Sequence, residues 1–223
     1  MKLKVYSPPD EKTKLVFRSL GGDDFDQMRT YLFDMYRSMQ NQKELLKQSH
    51  NEELKLFPLA TGLTKRVHAQ YLKNYEIHFV GLLLNSAHVA SHSIFEIMFK
   101  KVCQYAAKKN SIEIPNSYFG TSGITYKCKH FIEQRIGLDL SQIDRHWKRL
   151  TLFQELRNKI THHAATIPVD RKALRKFVRA NEYIQLNKPR STKELSFYIK
   201  DRLFVYDFLD TSSSYLIWIL MRI

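Results

Sequence analysis

The chain has 223 residues, of which 43% are hydrophobic and 13% aromatic, so its composition excludes a disordered protein. Seven glycines and six prolines exclude a collagen-like or linker-like chain and argue against a turn-rich β sandwich. A formal net charge of +14 leaves three classes of partner: nucleic acid, an anionic membrane or an acidic protein. Residues 1–60 contain 10 Lys and Arg against 9 Asp and Glu, so nearly all of the excess charge lies in residues 61–223.

The first half of the chain predicts an irregular lead-in followed by long helices. A Pro-Pro pair and a Gly-Gly pair interrupt residues 1–22, which we expect to be extended or irregular. Apolar residues at helical spacing then predict a helix that starts at Asp23 or Asp24 and ends near residue 48. A second helical region, either one long helix or two consecutive ones, is predicted over residues 64–109.

The second half predicts a loop, further helices and a small β element. Breaker residues cluster in residues 110–125, the clearest loop of the chain. Helical periodicity predicts helices over residues 126–136, 141–163, 170–180 and 210–222. Two apolar runs around a short polar stretch predict a β-hairpin inserted at residues 195–206. We therefore expect a single mainly all-α domain over residues 1–223, a bundle of about four to six helices with a small C-terminal hairpin.

Cysteine content and hydropathy predict a cytoplasmic protein. The two cysteines, Cys103 and Cys128, are too few for a disulfide framework and are interpreted as reduced thiols. The N-terminal residues lack the apolar run of a signal peptide. No apolar stretch approaches the roughly 20 residues that a membrane span requires. We therefore expect no membrane partner.

The most informative stretch is residues 152–164, Leu-Phe-Gln-Glu-Leu-Arg-Asn-Lys-Ile-Thr-His-His-Ala. Near the end of an amphipathic helix it contains Arg157, the polar Asn158 and, after three further residues, His162. This arrangement resembles the signature motif of the HEPN superfamily, and in architecture the resemblance covers residues 64–223. It implies a HEPN-like helical bundle and a metal-independent endoribonuclease, often a toxin or an antiviral defence effector, whose site forms across a homodimer.

The chemistry of these side chains is consistent with that implication. RNA can be cleaved by its own 2′-hydroxyl, so the enzyme needs neither a metal nor another cofactor. His162 supplies a general base or acid that titrates near neutral pH. Arg157 supplies a cation for the charge on the phosphorane, and Asn158, on the same helical face as His162, is a candidate to orient the ring. His163 is a possible supporting residue, and the spacing favours His162 over it as the catalytic ring.

The separation of the two catalytic candidates favours a two-fold site. Arg157 and His162 are five residues apart, which is about 140° around an ideal helix. A second copy of the motif facing the same cleft would bring both groups to one phosphate, which predicts a homodimer. The family resemblance further implies a regulatory protein partner, often a nucleotidyltransferase-like antitoxin.

A second polar group lies on the predicted helix over residues 64–109. His88, His92 and Glu96 are spaced at i, i+4 and i+8 and therefore share one helical face. No further Cys or Asp completes a known ligand spacing, so we expect no metal site there. We interpret the group as a polar strip beside the core, in which Glu96 is a candidate for positioning Arg157.

Basic residues surround the motif in sequence and are candidates for RNA binding. They are Arg145, Lys148 and Arg149 before the motif, and Arg171, Lys172, Arg175, Lys176 and Arg179 after it. Residues 171–190 contain seven Lys and Arg and a single acid, which favours contact with phosphates over a merely solvated face. A membrane surface fits less well, because the basic helix lacks an aromatic-rich apolar face.

Two functions remain open at this point. The first is an active endoribonuclease, and the second is a catalytically inactive HEPN module that binds RNA or a partner protein. In the second case Arg157 pairs with a carboxylate such as Glu155, and His162 and His163 form a polar helix C-terminus, where positive charge is favoured.

Overall fold

The structure is a computed structural model that describes residues 8–57, 61–115, 117–120, 122–187 and 194–223. Its α-helices are α1 (Glu11–Phe17), α2 (Asp23–Leu56), α3 (Thr61–Asn74), α4 (Gly81–Lys109), α5 (Ile124–Gln134), α6 (Asp144–His162), α7 (Lys172–Arg179) and α8 (Leu203–Leu220). Its strands are β1 (Thr166–Pro168), β2 (Ile184–Leu186) and β3 (Glu194–Ile199). The prediction of a mainly α-helical fold is confirmed.

The region that sequence analysis predicted as one or two helices is an almost continuous helical run. A π-helical segment, Tyr75–Val80, joins α3 to α4. Gly81, the first residue of α4, lies against Tyr198 of β3, and a Cβ at this position would come within 3.1 Å of that ring. The absence of a side chain at residue 81 therefore lets the helix approach the strand closely.

The predicted extended lead-in is wrong for residues 11–22. These residues form α1 and a short π-helical turn, Arg18–Gly22. The Asp10 side chain caps α1 by accepting the N–H of Thr13 at 2.6 Å. Gly21 adopts a φ of 106°, so the glycine pair that predicted a break sits inside the turn that leads into α2. Residues 1–7 of the predicted lead-in lie outside the described residues.

The predicted β-hairpin over residues 195–206 is also wrong. The strand β3 is present, but its partners are β1 and β2, both antiparallel to it, in the order β1-β3-β2. The second predicted strand is instead the first turn of α8. The Asp201 carboxylate accepts the N–H of Leu203 at 2.9 Å and so supports the start of that helix.

The chain divides into two compact units. The first comprises the described residues within 1–27, 90–154 and 207–223. Its core is rich in aromatic contacts: Phe153 meets Phe208 at 5.3 Å, and Phe99 meets Tyr215 at 5.6 Å between ring centroids. Cys103 and Cys128 are buried in this unit as free thiols. Burial, chiefly, raises the pKa of the Cys103 thiol well above its ordinary value, so that thiol stays protonated.

The second unit comprises the described residues within 28–89 and 155–206. It contains the three-stranded sheet, α7 and the end of α6 that carries the HEPN-like motif. Its fully or almost fully buried apolar side chains include Leu32, Leu84, Leu156, Ile167, Leu174, Val178, Phe197, Ile199 and Phe204. The sheet and α7 thus share one core with the end of the motif helix.

Candidate functional site

The three motif residues occupy the last turns of α6 and differ in exposure. Leu156, next to the motif, is fully buried and anchors this end of the helix. Arg157 is half-buried, whereas Asn158 and His162 are exposed. His163, the residue after the helix, is exposed as well.

Arg157 is a cation with unused hydrogen-bond donors. Its Nη1 donates to Asn158 Oδ1 at 3.1 Å. Its Nε is buried and has no hydrogen-bond partner among the described residues. Within the described residues, no carboxylate lies at ion-pair distance from Arg157, so the alternative pairing with Glu155 is not formed. A buried donor without a partner is uncommon, and this one is out of a ligand's reach. The donors that an anionic ligand can approach are those at the exposed end of the guanidinium, where Nη1 meets Asn158.

The structure joins Asn158 to Arg157 rather than to His162. The Asn158 side-chain oxygen is the acceptor for Arg157, so it helps to hold the guanidinium in place. Within the described part of the chain, the His162 ring forms no hydrogen bond and is open to solvent. His162 is therefore accessible to a substrate, and its ring orientation is not set by a side chain of the same unit in this structure.

A strained backbone follows the two histidines. Ala164 and Ala165 adopt φ values of 46° and 56°, a left-handed conformation that costs a non-glycine residue about 1 kcal/mol or more. The N–H of Ala165 donates to the carbonyl of Lys159 at 2.9 Å, which closes the end of α6. The carbonyl of Ala165 accepts from Phe197 of β3 at 3.1 Å. The sheet therefore fixes the point at which the motif helix ends.

The basic helix α7 belongs to the same unit as the motif. Its buried apolar side carries Leu174 and Val178, each 1% exposed. The other side borders an open depression of about 660 Å³, lined by Val169, Lys172, Arg175, Lys176, Arg179 and Ala180. In the part of the chain that the structure describes, no acidic residue lines the depression, and the buried Nη1 of Arg175 has no hydrogen-bond partner. Arg171, just before the helix, is exposed.

Two of the three basic residues near the start of α6 form ion pairs within the protein. Arg149 forms an ion pair with Asp207, and its guanidinium lies 5.5 Å from the ring centroid of Phe153. Lys148 pairs with Asp144 at 2.7 Å. Arg145 is exposed. Because a paired and partly buried cation is a poorer phosphate ligand, Arg145 is the best placed of the three predicted RNA contacts.

The polar strip on α4 is part of the packing. His88 is fully buried with its ring 5.3 Å from Phe204, and His92 is stacked on Phe208, also at 5.3 Å. The Glu96 carboxylate lies 3.8 Å from His92 Nδ1 and accepts a hydrogen bond from Thr125 at 3.4 Å. Across the described ranges, no group of three or more His, Cys, Asp or Glu side chains is arranged to hold a metal ion.

A second cavity escaped the sequence analysis. It has a volume of about 460 Å³ and lies in the first unit, where it is lined by Tyr118, Tyr126, Lys127, Lys129, His130, Glu133 and Trp147. The sequence signal that could have revealed it is Tyr126 followed at once by the basic residues Lys127, Lys129 and His130. Only the fold adds Trp147 of α6 to this group.

The chain was compared with protein-family models, with curated proteins and with solved structures, and none of them matches. The resemblance to the HEPN superfamily therefore remains a prediction that rests on the motif in α6. In the part of the chain that the structure describes, no helix is both long and apolar enough to cross a membrane.

Proposed function

We propose that the chain is a metal-independent endoribonuclease that acts as a homodimer, with Arg157, Asn158 and His162 at its site. The observation that carries the proposal is the state of Arg157. Its guanidinium is half-buried, is hydrogen-bonded to Asn158 and forms no ion pair with a carboxylate of the described residues. An accessible histidine follows it on the same helix end. A cation held in place and an accessible imidazole are the two groups that phosphodiester cleavage by an internal hydroxyl requires, and in the proposed homodimer two copies of the motif bring them to one phosphate.

In the proposed reaction His162 takes the proton of the 2′-hydroxyl as the 2′ oxygen forms a bond to phosphorus. Arg157 donates hydrogen bonds to the non-bridging oxygens, where negative charge accumulates. The bond from phosphorus to the 5′ oxygen then breaks, and His162 of the partner subunit gives that oxygen a proton. The products are a 2′,3′-cyclic phosphate and a 5′-hydroxyl. One histidine has gained a proton as the base, and the histidine of the partner subunit has lost one as the acid.

The depression beside α7 supports substrate capture in this proposal. Four cations, Lys172, Arg175, Lys176 and Arg179, line it, and no carboxylate of the described residues does. Arg and Lys side chains that neutralise phosphates release counterions and so supply affinity without sequence preference. We assign the depression to contact with the RNA backbone.

The cellular role that we propose is that of a toxin or an antiviral defence effector. It is supported by the motif in residues 152–164 and by the family resemblance that this motif carries. Such an enzyme needs control, so the proposal includes an antitoxin or other regulatory protein as a partner.

A second candidate function is a catalytically inactive module that binds RNA or a partner protein. The observation that favours it is the α7 depression, whose cations could hold an RNA backbone without any help from Arg157 or His162. The two candidates differ in a single measurable step, the breakage of the phosphodiester bond.

The test is cleavage of a labelled single-stranded RNA by the purified protein in the presence of a chelator. We expect products with 2′,3′-cyclic phosphate ends and no cleavage of a DNA strand of the same sequence, which lacks the 2′-hydroxyl. His162→Ala should lower the rate by about 100-fold or more, because it removes the proton acceptor. Arg157→Ala should lower it by about 100- to 1,000-fold, because it removes the cation that stabilises the transition state.

Two exposed residues of the same types serve as matched controls. His78→Ala and Arg66→Ala change side chains on the π-helical segment and on α3, and both should leave cleavage unchanged. His163→Ala should reduce the rate less than His162→Ala does. RNA that is bound but stays intact at high protein concentration would identify the inactive module, and cleavage that survives His162→Ala would refute the assigned base.

A further inference from the structure

We propose that the cavity lined by Tyr126 and Trp147 is a binding site for a nucleobase that carries a phosphate. The cavity lies in the first unit, whereas Arg157 and His162 belong to the second. Occupation of this site therefore does not depend on the proposed cleavage reaction.

The cavity has the size and wall chemistry of a small-ligand site. Its volume of about 460 Å³ falls within the range of roughly 300–1,000 Å³ that is typical of such sites. Three aromatic side chains, Tyr118, Tyr126 and Trp147, form much of its lining. Aromatic walls are favourable for any planar ring, because every nucleobase has a π face that can stack.

Tyr126 is the aromatic ring that a ligand can reach most easily. Its side chain is 53% exposed, whereas Trp147 is only 9% exposed. The rings of Tyr126 and Trp147 are nearly perpendicular at 88°, with centroids 5.3 Å apart. Trp147 also packs against the ring of Tyr215, and Lys129 Nζ lies over the Trp147 ring, 5.4 Å from its centroid. Trp147 thus holds Tyr126 in place, and Tyr126 presents its exposed ring to solvent.

The charged groups of the cavity favour an anion. Lys129 is paired with Glu133 at 2.5 Å, so these two charges compensate each other. Lys127 donates one hydrogen bond to the carbonyl of Phe119 at 3.1 Å. Among the described residues, no carboxylate forms an ion pair with Lys127. An ammonium group has three donors, so Lys127 has two left for a ligand. His130 is exposed and contacts the hydroxyl of Tyr118 at 3.4 Å, which adds a polar group at the rim.

An exposed aromatic ring with an uncompensated lysine beside it matches a nucleotide. The base would stack on Tyr126, and the phosphate would bind Lys127. A nucleotide within an RNA strand and a free nucleotide share this chemistry. If the ligand is an RNA strand, the site adds a base-stacking contact to the proposed ribonuclease, although binding itself requires no cleavage.

The test measures binding to the 223-residue chain that carries His162→Ala, so that cleavage cannot interfere. AMP, UMP, adenosine and inorganic phosphate are titrated separately, with calorimetry and with tryptophan fluorescence, in which Trp147 reports on the cavity. We expect both mononucleotides to bind and to change the fluorescence, and inorganic phosphate to bind at least about tenfold more weakly. Tyr126→Ala should weaken AMP binding by about tenfold, the effect of losing one stacked base. Lys127→Gln should weaken the binding of AMP but leave that of adenosine unchanged.

Two variants elsewhere act as matched controls. Tyr71→Ala removes an equally exposed tyrosine of α3, at 54% exposure, and Lys65→Gln removes an exposed lysine of the same helix. Neither should alter mononucleotide binding. Thermal unfolding of each variant establishes that it is folded.

A short single-stranded oligonucleotide distinguishes the two sources of the ligand. If Tyr126→Ala weakens binding of the oligonucleotide as much as that of AMP, the site takes a base from an RNA strand. If it weakens AMP binding alone, the site takes a free nucleotide. The proposal is overturned if no mononucleotide binds at about 10 mM, if folded Tyr126→Ala binds AMP as the parent does, or if inorganic phosphate binds as tightly as AMP. Because Arg157 and His162 take no part in this assay, its outcome is independent of the test for cleavage.

Discussion

Single residues at the end of α6 show how the backbone conformation and the candidate site are connected. Ala164 and Ala165 accept left-handed φ values of 46° and 56°, because the chain must turn at once from the helix into β1. Hydrogen bonds from Ala165 to Lys159 and from Phe197 to Ala165 hold the turn on both sides. The exposed His162 lies immediately before this turn and is therefore displayed at a fixed helix end.

The strain at Ala164 gives a prediction about stability. Ala164 is exposed and has a positive φ. Ala164→Gly therefore removes the steric cost of the left-handed backbone conformation without removing a buried contact. Glycine also raises the conformational entropy of the unfolded chain, which offsets part of the gain. We expect the free energy of unfolding to rise by about 0.5–1 kcal/mol, measured by urea denaturation.

The same substitution within a regular helix provides the comparison. Ala69 is exposed in the middle of α3, where the right-handed conformation suits alanine. Ala69→Gly should lower the free energy of unfolding by about 0.5–1 kcal/mol. If both substitutions destabilise the protein equally, the turn after His163 does not carry the strain that the dihedral angles indicate.

Among whole elements, α2 and α3 meet through a pair of histidines. The rings of His50 and His68 are stacked 3.6 Å apart and are almost parallel, at 3°. Burial, and secondarily the proximity of His50, lowers the pKa of His68, while Glu53 has the opposite and smaller effect. The His68 Nε2 atom is buried and has no hydrogen-bond partner within the described residues. The contact is therefore suited to a neutral His68 ring.

The helix pair should loosen in acid. Because the pKa of His68 is lower in the folded protein than in the unfolded chain, the unfolded chain binds more protons as the pH falls below about 6.5. Stability should therefore decrease between pH 7 and pH 5, and hydrogen exchange should accelerate in α2 and α3. His68→Asn should flatten this dependence. His78→Asn, a change of an exposed histidine on the neighbouring π-helical segment, should preserve it, and equal profiles for all three proteins would contradict the prediction.

The elements also show where sequence patterns succeed. Apolar periodicity located the long helices, because a helix that buries one face must repeat its apolar residues about every 3.6 positions. It failed for α1, where the signal for the helix was its N-cap residue, Asp10, rather than apolar periodicity. It failed again after β3, because a short continuous apolar run at the start of a helix cannot be told from a strand until its tertiary neighbours are known.

In the molecule as a whole, the net charge of +14 is the property that most directly concerns a partner. Lys172, Lys176 and Arg179 carry part of this charge in the α7 depression, which no acidic side chain of the described residues lines. Replacing these three residues by Gln should weaken RNA binding and reduce its salt dependence. The slope of log K against log salt should fall by about 0.7 for each lost contact with a single-stranded phosphate.

A variant with the same loss of charge elsewhere separates position from net charge. Lys65, Arg66 and Lys73 are exposed on α3, and their replacement by Gln removes three positive charges outside the depression. We expect a smaller change of affinity and of slope for this control, as measured by fluorescence anisotropy over a salt series. Equal effects of the two triple variants would show that the net charge of the molecule, rather than the α7 surface, governs RNA binding.

The sequence by itself determined the helical class, the excess of positive charge in residues 61–223 and the Arg157–Asn158–His162 motif. It could do so because periodicity, charge and spacing are properties of residues that are close together in the chain. Tertiary structure decided what other predicted site residues do: Arg149 is paired with Asp207, and His92 packs in the core against Phe208. It also decided that β1 and β2, rather than a hairpin partner, flank β3. The physical reason is that burial, ion pairing and strand pairing join residues that are distant in the chain, and no local pattern records which distant residue will supply the partner.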